Sequence, residues 1–173
     1  MCLMNGVGLF TGAKDKADAD ATKAWGFREV KWGSVCNMGA HGGWKYTSSG
    51  YTPESNFAWW GSVNLAQAGD QKIVFEIQGT KVKTYDKSGN LMNEGTFGFD
   101  RDQPEDLVQG RLTTNIPVIG SNYDDLGQSK GKDNVFWILT LTDEYITLYH
   151  PQKYTGGGDW DDYGWYVYYE SKE

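Results

Sequence analysis

Eight tryptophans, eleven tyrosines and seven phenylalanines share this chain with 23 glycines. Several of the rings stand among Gly, Asp and Asn rather than inside apolar runs. Examples are Gly42-Gly43-Trp44-Lys45-Tyr46, Phe57-Ala58-Trp59-Trp60-Gly61 and Gly158-Asp159-Trp160-Asp161-Asp162-Tyr163-Gly164-Trp165. A ring held open by a turn-forming stretch can stack on a flat ligand such as a sugar or a base. The chemistry on offer is noncovalent. A planar ring covers the CH face of a pyranose while neighbouring Asp, Asn and Gln bond the hydroxyls. The candidate contacts are Trp44, Tyr46, Trp60, Asp159, Trp160, Asp162 and Trp165. Trp44 and Trp160 have glycine-rich neighbours, and Trp165 begins the last aromatic strand. Trp59 and Trp60 are adjacent, so in a strand one faces away from the other. Trp137, inside Val135-Phe136-Trp137-Ile138-Leu139, is expected in the core or lining a concave face. Trp25 and Trp32 fall on opposite faces of one strand.

Covalent chemistry finds little support. His41 and His150 are the only histidines, and no HExxH or close histidine pair exists. There is no GxSxG elbow and no phosphate-binding GxxxxGK loop. A glycosidase needs two carboxylates facing across a sugar. With 23 acidic residues a pair such as Glu76 and Glu94 can always be drawn, and no spacing favours it. The chain therefore reads as a non-enzyme without a cofactor. Asp159, Asp161 and Asp162 in a glycine-rich stretch are weak calcium candidates, since calcium wants several oxygens from flexible loops. Their spacing is not that of an EF-hand. Cys2 and Cys36 read as free thiols, because two cysteines make no disulfide framework.

Length and charge narrow the partners. A chain of 173 residues fits one domain with a real core. A net charge of −7 and a pI near 4.8 argue against nucleic acid and against a highly sulfated glycan. No run of about 18 apolar residues offers a membrane span. The start, Met1-Cys2-Leu3-Met4-Asn5, lacks the regions of an intact signal peptide. Two expectations follow: a cytosolic protein, or a chain that begins inside a longer one.

The elements that must position these residues are nearly all strands. Lys72 to Gln78 alternates with Ile73, Phe75 and Ile77 on one side. Gly79-Thr80 turns it into Lys81–Tyr85, and Lys87-Ser88-Gly89-Asn90 marks the next turn. Gly95–Asp100, Arg111–Ile116, Asn134–Leu141, Tyr145–His150 and Gly164–Glu170 follow, with Pro117 ending one and Thr142-Asp143-Glu144 turning another. In the last strand Trp165, Val167 and Tyr169 oppose Tyr166, Tyr168 and Glu170. Ala24–Trp32 is a strand with a bulge near Arg28-Glu29. Asp15–Lys23 has helical propensity with little apolar face, and Leu65–Asp70 could form one turn. Val35–Asn56 and Pro117–Asp133 read as long loops, which in a small domain are often functional.

The order of these segments resembles the C-terminal β-domains of Bacteroidetes cell-surface lipoproteins, of the PKD-associated and SusE-like kind found in polysaccharide-utilisation loci. The resemblance runs from Lys23-Ala24-Trp25-Gly26-Phe27 through Trp59-Trp60, Ile73-Val74-Phe75 and Gly95-Thr96-Phe97-Gly98-Phe99-Asp100. It continues through Phe136–Asp143 and Ile146-Thr147-Leu148 to Trp165-Tyr166-Val167-Tyr168. It implies an antiparallel β-fold at the outer cell surface, within a longer protein, that captures glycans. It brings no catalytic residues, and Cys2 lacks a lipoprotein leader before it.

Many short strands with glycine-rich turns predict an all-β antiparallel β-sandwich, jelly-roll-like. Residues 1–22 form a lead-in, partly mobile or a short helix, and 23–173 a single domain. The expected function is non-catalytic capture of a poly- or oligosaccharide, without nucleic acid and without membrane insertion of this chain. The alternative is a closed lipocalin-like barrel that binds a small apolar ligand, with aromatics lining its interior. A structural or adhesion module and a glycan-active enzyme complete the set.

Overall fold

The computed structural model describes residues 4–14, 18–28, 35–40, 61–63, 71–103, 106–118, 134–151 and 163–172. A helix, α1 (Met4–Thr11), precedes ten strands: β1 (Thr22–Phe27), β2 (Val35–Ala40), β3 (Gly61–Val63), β4 (Lys72–Glu76), β5 (Lys81–Tyr85), β6 (Leu91–Asp100), β7 (Gly110–Thr114), β8 (Asn134–Leu141), β9 (Tyr145–Pro151) and β10 (Tyr163–Ser171). From β4 to β10 each strand pairs antiparallel with the next. β1 then pairs with β4 on one side and with β10 on the other. The ring β1-β4-β5-β6-β7-β8-β9-β10 therefore closes as an eight-stranded barrel.

This corrects the jelly-roll sandwich. A sandwich needs two sheets facing each other, whereas here one sheet curls until its ends meet. The closing contact is non-local, which strand patterning does not reveal. The barrel alternative describes the architecture. A second correction concerns Val35–Asn56: its first six residues are strand β2. β2 follows β1 along the same edge of β10. Phe27 stands opposite Tyr169 and Val35 opposite Val167. β3 extends β2.

The interior follows the period of two. Ile73 and Phe75 of β4, Val82 of β5, Leu112 of β7, Phe136 and Ile138 of β8, Ile146 and Leu148 of β9, and Val167 and Tyr169 of β10 are all buried in one core. Trp25 and Phe27 share the inward face of β1, as their spacing predicts. β8 to β10 are buried on both faces: Leu139, Thr147, Tyr149 and Tyr168 point away from this core yet are also buried. That double burial explains why Asn134–Leu141 reads as a continuous apolar run rather than an alternation. It also corrects Trp137, which lies on the outer face, half-buried, with its ring 5.9 Å from Tyr149. Its neighbours Phe136 and Ile138 take the inward positions.

Alternating strand direction sends the chain to two rims. The lower rim holds α1, the turn at Gln78–Thr80 and the β8–β9 turn. α1 corks it. Phe10 is fully buried, 5.0 Å from the Phe75 ring and 5.9 Å from Phe99. The last carbonyls of a helix lack partners within it. Trp25 Nε1 donates to one of them, Phe10 O, at 3.0 Å. Gly12 then takes the left-handed conformation (φ 75°) that ends helices. Lys23 crosses the same end, its Nζ donating to Asp143 O and lying 4.6 Å from the Trp25 ring. The helical propensity of Asp15–Lys23 is not used where it is described, since Thr22 and Lys23 belong to β1. The helix sits earlier, over Met4–Thr11.

Candidate functional site

The upper rim carries the strand ends Phe27, Thr114, Asn134, Pro151 and Tyr163, with the β5–β6 turn. Beneath it the interior changes character. The lower half is filled by Phe10, Trp25, Phe75, Phe97 and Ile146. The upper half contains the buried polar residues Gln71, Thr84, Thr114, Asn134 and His150. Each lies on the inward parity of its strand or beside its upper end, at positions where an apolar residue would also fit the pattern. A buried polar group costs free energy unless it is bonded, so each of these needs a partner.

Several of the partners are supplied by a segment that leaves β7. After Thr114 the ladder with β8 ends, and Asn115, Ile116, Pro117 and Val118 turn across the rim. Ile116, Pro117 and Val118 are buried, and both Ile116 and Val118 belong to the core cluster. Thr114 Oγ1 donates to Ile116 O at 2.7 Å and Asn134 Nδ2 donates to the same oxygen at 3.2 Å. From the opposite wall Tyr169 OH donates to Val118 O at 2.6 Å. The outer flank is tied by Asn115, whose N–H donates to Thr96 O while its Oδ1 accepts from Thr96 N–H. The segment is a strap, threaded into the mouth and held mainly through its carbonyls. Pro117 offers no N–H, so its buried backbone needs only a donor for its carbonyl.

His150 completes this wall. Its Nδ1 lies 3.0 Å from Val135 O, and a carbonyl can only accept, so Nδ1 carries the proton. The ring also packs 4.9 Å from Phe136. These contacts give His150 a structural role in the wall. Beside Val118 a cavity of about 10 Å³ remains, lined by Phe27, Gln71, Ile73, Thr84, Met92 and Tyr169. One water needs roughly 10–15 Å³, so this cavity is too small for an organic ligand. A larger hollow, about 630 Å³, lies on the outer surface against Lys72, Val74, Tyr85 and the β5–β6 turn. Among the described residues no three His, Cys, Asp or Glu side chains gather as a metal group, and no helix is long and apolar enough to cross a membrane.

Of the seven sequence candidates, Trp165 lies in β10, its backbone opposite His150. The β10–β2 register shifts beside it, between Gly164 and Tyr166. Trp44, Tyr46, Trp60, Asp159, Trp160 and Asp162 lie outside the described residues, as do the weak calcium candidate Asp161 and the possible turn at Leu65–Asp70. The strand ends that lead to them are described, and they are neighbours. Tyr163 stands opposite Ala40, and Gly164 opposite Pro151. The stretches 41–60 and 152–162 therefore depart from adjacent strand ends on one rim. Sequence reading missed Thr114, Asn134, Tyr169 and the strap. The available signal was Thr113-Thr114-Asn115-Ile116-Pro117-Val118, where a strand stops at proline while apolar residues continue.

The fold thus defines a closed antiparallel barrel, corked by a helix at one end and strapped at the other. No protein-family model, curated protein or solved structure matches the chain.

Proposed function

We propose that this chain is a non-catalytic binding protein that takes a small, largely apolar ligand at the upper end of its barrel. One observation carries the reading: aromatic rings fill most of the corked end, with Thr11 and Lys23 the buried polar residues there, while five buried hydrogen-bonding residues line the end where, among the described residues, a strap lies across the mouth. Barrels of this strand number enclose a core or one small ligand, and the mouth is the usual place for a ligand. With a helix packed into the lower rim, this reading brings the ligand in through the upper one.

A second reading is supported by the adjacency of Ala40, Tyr163 and Pro151. The stretches bearing Trp44, Tyr46, Trp60, Asp159, Trp160 and Asp162 leave from there. In this reading the partner is a neutral poly- or oligosaccharide at the outer cell surface, stacked on those rings, as the lipoprotein resemblance implies.

Two assays separate the readings. Calorimetry with short alkyl acids and alcohols is expected to show binding that Trp44→Ala and Trp160→Ala leave unchanged. Affinity electrophoresis in neutral polysaccharides would instead show retardation that Trp44→Ala, Trp160→Ala and Trp165→Ala abolish if the chain captures glycans. A folded protein silent in both formats leaves the structural or adhesion module standing.

A further inference from the structure

We infer that the Ile116-Pro117-Val118 strap occupies the ligand's own place, and that the upper interior takes a slender apolar molecule bearing an acceptor oxygen. The inference rests on the small-ligand reading above and adds the ligand's chemistry and the element it displaces.

The lower half is filled by inward strand residues and by one ring of the helix cork, Phe10, whereas the upper half is filled differently. Here two core side chains, Ile116 and Val118, come from a connection that has already left the ladder. Three strands turn donors toward that connection: Thr114 from β7, Asn134 from β8 and Tyr169 from β10. All three bonds run the same way, from side-chain donor to strap carbonyl. The wall is thus complementary to oxygen acceptors on an apolar body, which is what the strap presents. With the strap lifted, the same donors would be stranded unless water or a ligand oxygen replaced the carbonyls. A ketone, ester, alcohol or carboxylate on an alkyl chain meets both demands, while an ammonium on the same chain lacks the acceptor. Pro117 makes the exchange easier, because mid-strap there is no N–H whose bond must be broken. The small cavity beside Val118 and Tyr169 lies where the strap would begin to move.

The head group separates this site from unspecific binding. At a net charge of −7 the protein attracts a cation more than an anion at long range. A preference for an alkyl acid over an alkyl amine must therefore come from local donors. The test titrates the full chain, with isotope-labelled Ile and Val methyl groups, with octanoate, octanol and octylammonium. Octanoate and octanol are expected to shift the Ile116 and Val118 methyl resonances, and octylammonium to bind at least tenfold more weakly. Ile116→Ala with Val118→Ala leaves every donor in place but makes the strap easier to displace. It is expected to tighten octanoate binding at least tenfold. Tyr169→Phe is expected to narrow the preference for octanoate over octylammonium, and with the wild-type methyl shifts it decides the matter if the double variant does not fold. Octanoate binding with unmoved strap methyls would overturn the inference and leave the small-ligand reading intact. Absence of binding by every alkyl compound, in wild type and in a folded strap variant, would remove both.

Discussion

Single side chains in this barrel act where backbone groups would otherwise be stranded. Trp25 is the strongest case, because it fills the lower core and satisfies Phe10 O at 3.0 Å. Trp25→Phe keeps an aromatic ring but leaves that buried carbonyl without its donor. It should cost about 2–4 kcal/mol, measured as a lower midpoint in urea unfolding with an unchanged slope. A loss below half a kcal/mol would mean that α1 is not anchored through this bond. Asp86 acts the same way at the surface. Hydrogen bonds from the Asn90 backbone, the Asn90 side chain and the Ser88 and Gly89 backbone hold its pKa below the ordinary 3.8. A depressed folded pKa stabilises above the unfolded value and is lost as pH falls through the folded one. The β5–β6 turn should therefore loosen only in acid below the ordinary carboxylate range. A carboxyl NMR titration with its midpoint at or above 3.8 would contradict this. At this scale the inward pair Trp25 and Phe27 was legible from spacing. Trp137 was not, because a strand buried on both faces gives its residues no alternation to be read by.

Elements were legible where β-forming residues run between clear turn signals, whether one face or both are buried. Lys81–Tyr85 and Asn134–Leu141 fall where the pattern puts them, and the final strand extends the expected Gly164–Glu170 by one residue at each end. β2 was hidden because Val-Cys-Asn-Met-Gly-Ala has neither alternation nor β-branched density. α1 was hidden for a related reason, since Gly6 and Gly8 oppose helix by about 1 kcal/mol each. Gly6 is there for packing. A Cβ at this position would run into the Phe99 ring, whereas one at Gly98 would meet nothing within 4 Å. Gly6→Ala thus sets a helix-propensity gain of about 1 kcal/mol against overpacking of about 1–3 kcal/mol. The net effect should be destabilising, with α1 displaced from Phe99. Gly98→Ala is the control and should be neutral or stabilising by about 0.4–1 kcal/mol. Thermal unfolding of both variants checks the pair, and a stabilised Gly6→Ala would show that the helix does not pack tightly into the rim.

Closure belongs to the whole molecule, and local pattern could not disclose it. Alternating strands with tight turns suit a sandwich and a barrel equally well. What decides between them is whether β1, near one end of the chain, reaches β10, near the other. The seam is short: Trp25 faces Ser171, Gly26 faces Glu170 and Phe27 faces Tyr169. Arg28 N–H to Tyr168 O and Lys172 N–H to Ala24 O extend it at its two ends. Inside the barrel Phe27 stacks on Tyr169, ring centroids 5.0 Å apart and 24° from parallel. Because the contact is so distant in sequence, its loop-closure cost comes before it forms, and the barrel is expected to fold on roughly the ms–s scale. The stacking can be isolated with a double-mutant cycle on Phe27→Leu and Tyr169→Leu. Tyr169 also bonds Val118 O, but that loss occurs in both Tyr169 variants and cancels in the cycle. The coupling should be about 0.5–1.5 kcal/mol, the value of an aromatic pair beyond its buried area. It should appear mainly in the unfolding rate if the seam closes after the folding transition state. A coupling indistinguishable from zero would mean that β1 and β10 are not joined through their inward rings. The seam would then rest on its backbone ladder alone.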